Sequence, residues 1–462
     1  MNNGVKTLVS LFSIVICSGC ASLDADDAIN RANRTLVPFT QGELKLHDTG
    51  VLTQIRREAR EAILAAPINQ ESAVRLALIG SPALQMLLAR KHADLIDAQR
   101  AGRIGNPSLT YERLRDHGET EIARVLSVGL FELLTLPRRK KIAAADARVE
   151  ELRLAVVIVD QVTQIRQAWV RAVAAEQRQR YAEQILKSGS LSAELARRME
   201  AVGNFNRIER ARQQSFEADA RVQAQVARQQ AIVEREALVR LLGLTDDEVQ
   251  RFRLPDRLPE IPKSAIDSLS LSERANRERL DVALADASYR AAARRAGLGE
   301  VTTRTDLELS VLRDGGARGY EVEVRLPVFD WGELERKALK GRTLSAAHEL
   351  EATLRAAGSH LRESYSTYLA AHAVARSYLD EVVPLRRTIS EENLLRYNGM
   401  LIGVFELLTD AREQIGAVKF AIDAQQQFWL ADAALQSALV GQPSATTLRT
   451  PSSGAVSAGA DH

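Results

Sequence analysis

Residues 305–329 read TDLELSVLRDGGARGYEVEVRLPVF, two alternating stretches joined by a polar, glycine-bearing turn. In the first stretch Leu307, Leu309 and Val311 fall on one side, while Asp306, Glu308 and Ser310 fall on the other. In the second, Val322, Val324 and Leu326 oppose Glu321, Glu323 and Arg325. A period of two is that of a β-strand, and RDGGARG supplies the reversal, so the segment reads as a β-hairpin. An aliphatic face set against a charged one suits strands with lipid on one side and water on the other. A half-buried soluble sheet gives the same alternation, and this hairpin alone does not separate the two readings.

A weaker copy of the pattern precedes it. Leu109 and Tyr111 alternate with Ser108, Thr110 and Glu112, the turn RDHGET follows, and Arg124 interrupts the return strand. Other landmarks repeat in the same order. VGLFELLTLPRRKK from Val128 aligns with VEVRLPVFDWGELE from Val322 at an offset of 194, and LRDHG from Leu114 aligns with LRDGG from Leu312 at 198. NRIERAR from Asn206 meets GVFELLT from Gly403 at 197, and Gly243 meets Gly441 at 198. Four matches in one order at nearly one offset indicate an internal duplication.

Between the hairpins the chain reads as helix. No proline occurs between Pro137 and Pro255, and glycine there is confined to positions 189, 203 and 243. Leu152, Val156, Val159, Val162, Ile165, Trp169 and Val173 step by three and four, the stripe of an amphipathic helix. Sixty such residues would make a rod of roughly 90 Å, which calls for coiled-coil packing. Small residues such as Ala143, Ala172 and Ala175 would let neighbouring helices approach closely. Shorter Ala/Leu/Arg-rich helices, over about residues 71–101 and 266–296, lead into each hairpin. Two hairpins are too few to close a barrel and would leave unpaired edges in lipid, so a membrane reading requires several copies.

The chain opens MNNGVKTLVSLFSIVICSGC, with Lys6 ahead of an apolar run and a small-residue step before Cys20. That is a secretory signal, too short for an ordinary membrane span. Ser18-Gly19-Cys20 resembles a lipobox, with Cys17 where Leu is usual, and makes Cys20 the candidate acylated first residue of the mature chain. An ordinary cleaved signal is the alternative. Either way at most one cysteine remains, and no disulfide can form within the chain. A net charge of +2 on 462 residues, with acids and bases interspersed, gives no basic face for nucleic acid. The seven histidines form no metal-ligand spacing, and no phosphate loop, nucleophile elbow or zincin motif is present. Neither an enzyme nor a cofactor or metal protein is expected.

Signal and lipobox, helix, β-hairpin, long helical hairpin and then a second round of the same resemble the TolC-like outer membrane factors, in their lipoprotein branch. PVFDWGELERK from Pro327 is similar to the family's strand end and helix start. VGNFNRIERAR from Val202 and YNGMLIGVFELLTDAR from Tyr397 are similar to its two hairpin-tip motifs. The resemblance implies a mainly α chain with a small membrane β-barrel. It implies a homotrimer giving four strands per chain to a twelve-stranded barrel, with long helical hairpins forming an α-barrel across the periplasm. The implied role is the outer-membrane channel of a tripartite efflux pump, partnered by a periplasmic adaptor (membrane fusion) protein and an inner-membrane transporter of the RND type. Heavy-metal and drug pumps both use such ducts, and the residues do not choose between them.

The resemblance also assigns residues. Gly203, Asn204, Phe205 and Asn206, with Gly399, Met400, Leu401, Ile402 and Gly403, become adaptor-docking tips. Their apolar members are expected at the surface and their glycines in positive-φ turns. Glu406 and Asp410 resemble an acidic pore constriction, and the alternative is two solvated positions on the returning helix. Leu307, Leu309, Val311, Val322 and Val324 are expected to face outer-membrane lipid, with Glu308, Glu321 and Glu323 facing water. In the second tip Met400 aligns with Gly203 and Gly399 comes one residue early, a departure from the family pattern. The expected organisation is a signal peptide over 1–19, a lipid-anchored segment over 20–70, a first repeat over 71–254, a linker over 255–265, a second repeat over 266–441 and a disordered tail over 442–462. A periplasmic adaptor lipoprotein and a poreless coiled-coil lipoprotein are the rival readings; the first would carry one hairpin among β-rich domains.

Overall fold

The apolar stripe from Leu152 to Val173 becomes the spine of the molecule. In the computed structural model, which describes residues 25–46, 53–116, 119–267, 279–302, 306–314, 317–325 and 331–442, it lies on one unbroken helix, Leu130–Ala201. At 1.5 Å per residue its 72 residues extend about 108 Å. Leu152, Val159, Val162, Ile165, Trp169 and Val173 are all buried, and Val156 is partly so. Trp169 also donates its indole N–H to the Ile68 carbonyl at 2.7 Å, which satisfies the one polar group its burial would strand.

The helices in chain order are α1 (Ala25–Thr35), α2 (Val37–Thr40), α3 (Thr53–Leu64), α4 (Gln70–Gly80) and α5 (Pro82–Arg100). Strands β1 (Ser108–Asp116) and β2 (Glu119–Gly129) follow, then the spine α6, then α7 (Arg207–Leu242) and α8 (Asp246–Arg251). Next come α9 (Leu280–Thr302), β3 (Asp306–Asp314), β4 (Ala317–Arg325) and α10 (Glu333–Ser377), a π turn over Tyr378–Val382, α11 (Val383–Asn398) and α12 (Val404–Leu439). Among the described residues no single helix is long and apolar enough to cross a membrane.

Two expected helices differ. The one expected over 71–101 is divided at Ser81-Pro82 into α4 and α5, bent by 56°, because proline's ring and missing N–H favour a helix start there. The one expected from 266 begins at Leu280 instead. Around Ile266 the chain is not helical: Tyr365 Oη donates to the Ile266 carbonyl at 2.9 Å, and His372 Nε2 lies 2.8 Å from the Pro262 carbonyl. Trp429 and Gln425 donate to the Pro259 carbonyl, so this connection is strapped along the helices by side chains.

The N-terminal helices dock on the spine. Buried Arg60 forks onto Glu248 at 2.6 and 2.8 Å and donates to the carbonyls of Leu76 and Gly243. A Cβ on Gly80 would lie 2.0 Å from Arg60 Nη1, so only glycine leaves room for that fork. Helices α7 and α12 both end at left-handed glycines, Gly243 (φ 61°) and Gly441 (φ 86°). Arg178 on α6 reaches Asp423 on α12 at 2.9 Å, joining the two halves midway along the rod.

Candidate functional site

The four strands form one antiparallel sheet in the order β1-β2-β3-β4. In β3 and β4 the register sets Leu307 opposite Val324, Leu309 opposite Val322 and Val311 opposite Tyr320. Directly paired residues share a face, so the aliphatic residues read from the sequence lie together. Val311, Val322 and Val324 are exposed and Leu309 is half-buried. On the reverse face Glu308 pairs with Glu323 and Ser310 with Glu321. Like charges directly opposite are destabilising, and water on that face relieves the repulsion. The Ser127 and Ser310 hydroxyls share a 2.9 Å hydrogen bond there, tying the two hairpins together. Among the described residues β1 and β4 each pair on one side only, leaving two open edges.

At the other end of the helices lie two tips of nearly the same backbone. In the first, the Asn204 N–H bonds the Met199 carbonyl at 2.8 Å and the Gly203 N–H bonds Glu200 at 2.9 Å, with Gly203 at φ 81°. In the second, the Leu401 N–H bonds Arg396 at 2.8 Å and the Met400 N–H bonds Tyr397 at 2.9 Å, with Met400 at φ 57°. Both are Schellman endings, and the left-handed position is glycine in one and methionine in the other. The expectation of positive φ at the glycines therefore holds at Gly203 and fails at Gly399 (φ −80°) and Gly403 (φ −81°). Met400 takes that conformation instead, so the departure at this position leaves the shape of the turn unchanged.

Two further expectations are corrected. Phe205 is not at the surface: it is 8% exposed, while Met400 and Leu401 are 93% and 73% exposed and Ile402 is intermediate. Asn206 caps α7, accepting from the Glu209 N–H at 2.9 Å, while Glu209 accepts from the Asn206 N–H at 2.7 Å, which commits its side chain to the fold. Asp410 is not a solvated position within this chain; it is 6% exposed, and among the described residues its Oδ2 has no hydrogen-bond partner. Glu406 is exposed at the third position of α12. The residue one repeat before Asp410 is Gln213, also buried, whose Oε1 likewise has no partner among the described residues. Beyond the tips a groove of about 360 Å³ opens between α6, α7 and α12, lined by Tyr181, Ile185, Phe216, Val226 and Ile415. Burial pushes the Tyr181 phenol up to about 12, and Arg412 stacks 4.6 Å from the Phe216 ring, its guanidinium held below its ordinary value by burial and by Arg212.

Cys20 and residues 443–462 lie outside the described residues; Gln442, the first residue of the expected tail, is ordered, its carbonyl accepting from Ser437 Oγ at 2.7 Å. Among the described residues no group of three or more His, Cys, Asp or Glu side chains could hold a metal ion.

No protein-family model matches the sequence, and no curated protein matches it. Solved structures do resemble it. A membrane protein from Pseudomonas aeruginosa superposes with a TM-score of 0.66 at 21% identity, over 82% of this chain and 95% of that one. The outer membrane protein VceC from Vibrio cholerae gives 0.65 at 18%, over 80% and 96%. The outer-membrane channel OprN gives 0.66 at 18%, over 91% and 97%. Long paired helices, one four-stranded sheet at their end and near-complete coverage of the channel structures place this chain in a known architecture: it has the fold of the TolC-like outer membrane factors.

Proposed function

We propose that the chain is the outer-membrane channel of a tripartite efflux pump. Three copies close their sheets into a twelve-stranded barrel, and their helices form the duct across the periplasm. The observation that carries this reading is the sheet: four antiparallel strands with two open edges, an exposed aliphatic face and an acidic reverse face. A sheet with one apolar and one charged side and unsatisfied edges is a fragment of a barrel in lipid. Exposed apolar residues along the rods, among them Val222, Val226, Leu344, Leu354 and Leu385, supply surface for packing against other copies. The internal duplication agrees with the order helix, hairpin, long helices, which occurs twice.

In this reading Cys20 carries the lipid anchor, the tips meet the periplasmic adaptor, and an inner-membrane transporter supplies the energy. Glu406 forms the acidic ring at the constriction, with Asp410 behind it in the wall. Purified protein should run as a cross-linked trimer and open channels in a planar bilayer; a monomer without conductance would refute the reading. Fatty-acid labelling should mark the wild type and not Cys20→Ser. Val324→Arg should cost roughly 2 to 4 kcal/mol of assembly and Glu323→Arg far less, because only the first places a cation in lipid. Equal loss of trimer from both would count against the barrel.

A further inference from the structure

The register explains the residue that interrupts the first hairpin. Arg124 of β2 pairs directly with Arg313 of β3, which pairs directly with Arg318 of β4, and Tyr111 of β1 completes the row on the other side of Arg124. Paired residues share a face, so three guanidiniums stand side by side within about 10 Å across the strands. The face is the aliphatic one: Leu126, Val311 and Tyr320 form the next row. All three arginines are exposed, and among the described residues none has an ion-pair partner. The carboxylates Glu112, Glu308, Glu321 and Glu323 fall on the opposite face. The aliphatic face thus carries cations and none of these carboxylates.

Neighbouring cations repel, and nothing on their own face compensates them. In β3 and β4 the row lies next to the turn, at the strand positions beside Asp314 and Ala317, while in β1 and β2 it lies mid-strand, because the first hairpin reaches past the second. An arginine facing lipid costs several kcal/mol at mid-bilayer and almost nothing at the interface, so the row belongs at headgroup depth. Tyr111 and Tyr320, 80% exposed in the latter case, sit at and just below the same level, as interfacial aromatics do. We infer that Arg124, Arg313 and Arg318 form a binding surface for the phosphate groups of lipids in the outer leaflet, at the outer rim of the barrel. The inference rests on the membrane reading above and adds a ligand class to it.

The test reconstitutes full-length protein into phosphatidylcholine vesicles with and without diphosphoryl lipid A, re-extracts it in non-ionic detergent and counts retained lipid by native mass spectrometry. Wild type should retain lipid A in at least about tenfold excess over its share of the vesicle, since each basic group near an anionic surface is worth about fivefold. The Arg124→Gln/Arg313→Gln/Arg318→Gln variant should insert equally well and fall to the bulk ratio. Glu308→Gln/Glu321→Gln/Glu323→Gln, which shifts the net charge from the other face, should leave the enrichment unchanged. Enrichment that survives loss of the three arginines, or that inorganic phosphate abolishes, would overturn the lipid site while leaving the channel intact. Failure of the wild type to insert into any vesicle would overturn the membrane reading itself, and this site with it.

Discussion

The first tip and the second tip share a backbone and differ in what holds it. At the first, glycine occupies the left-handed position, Asn206 and Glu209 cap the next helix reciprocally, and Arg210 pairs with Glu200 at 2.5 Å. At the second, a methionine is forced to φ 57°, the helix start is Gly403 with no side chain to cap it, and the position of Arg210 is held by Leu407. Left-handed strain at a non-glycine residue costs of order 1 kcal/mol, and a glycine cap costs about a few tenths of a kcal/mol relative to asparagine, so the second tip is the less stable of the two. It also presents the more apolar surface. Strain kept at an exposed apolar turn is the pattern of a binding site, which makes the second tip the stronger candidate for adaptor contact.

The largest expected effect breaks this asymmetry. Leu401→Asp should abolish efflux-dependent resistance and adaptor crosslinking while leaving trimers intact, since Leu401 is exposed and supports no core. Asn204→Asp, at the matching place in the first tip, should leave resistance near wild type. Equal loss from the two would mean that both tips dock alike, and normal resistance in Leu401→Asp would remove docking from the second.

A smaller effect sharpens it. Asn206→Ala removes the side-chain half of the capping box, leaving the backbone N–H of residue 206 to donate to Glu209, and should destabilise the first hairpin by about 1 kcal/mol, read from hydrogen exchange at the Glu209 amide. Gly403→Ala removes no cap bond because none exists and costs only the lower N-cap preference of alanine, so exchange at the Glu406 amide should change by less. A matching change at both would show that the capping difference does not set local stability.

How much of this could be read beforehand follows from what each pattern measures. The stripe on α6 was legible because burial on a long helix repeats every three or four residues, and the strand faces were legible because alternation fixes them. The offset between repeats aligned Met400 with Gly203, but positive φ was expected at the glycines, and the left-handed conformation of Met400 was not foreseen. Phe205 and Asp410 were misjudged because the first turns of a tip carry too few residues for a period, so whether a side chain points into the hairpin depends on the neighbouring helix. Arg124 looked like a flaw in its strand. Only the cross-strand register, which no single strand contains, shows that Arg313 and Arg318 stand beside it.

The smallest effect isolates the backbone itself. Met400 and Gly203 occupy equivalent left-handed positions, and a Cβ added at Gly203 would meet nothing within 4 Å, so substitution there tests conformation without a clash. A non-glycine residue in that conformation costs about 1 to 2 kcal/mol, while glycine gives back about 0.5 to 1 kcal/mol as extra freedom in the unfolded chain. Met400→Gly should therefore stabilise the second tip by about 0.5 kcal/mol, and Gly203→Met should weaken the first by a similar amount. Exchange at the Leu401 and Asn204 amides, each bonded across its Schellman turn, reports the two openings separately. The change corresponds to about twofold in the opening constant and should have opposite sign in the two variants. If Met400→Gly also lowers resistance although the tip is more stable, the methionine side chain is needed for docking; if neither amide moves, φ at these positions carries no strain and the asymmetry between the tips lies in their caps alone.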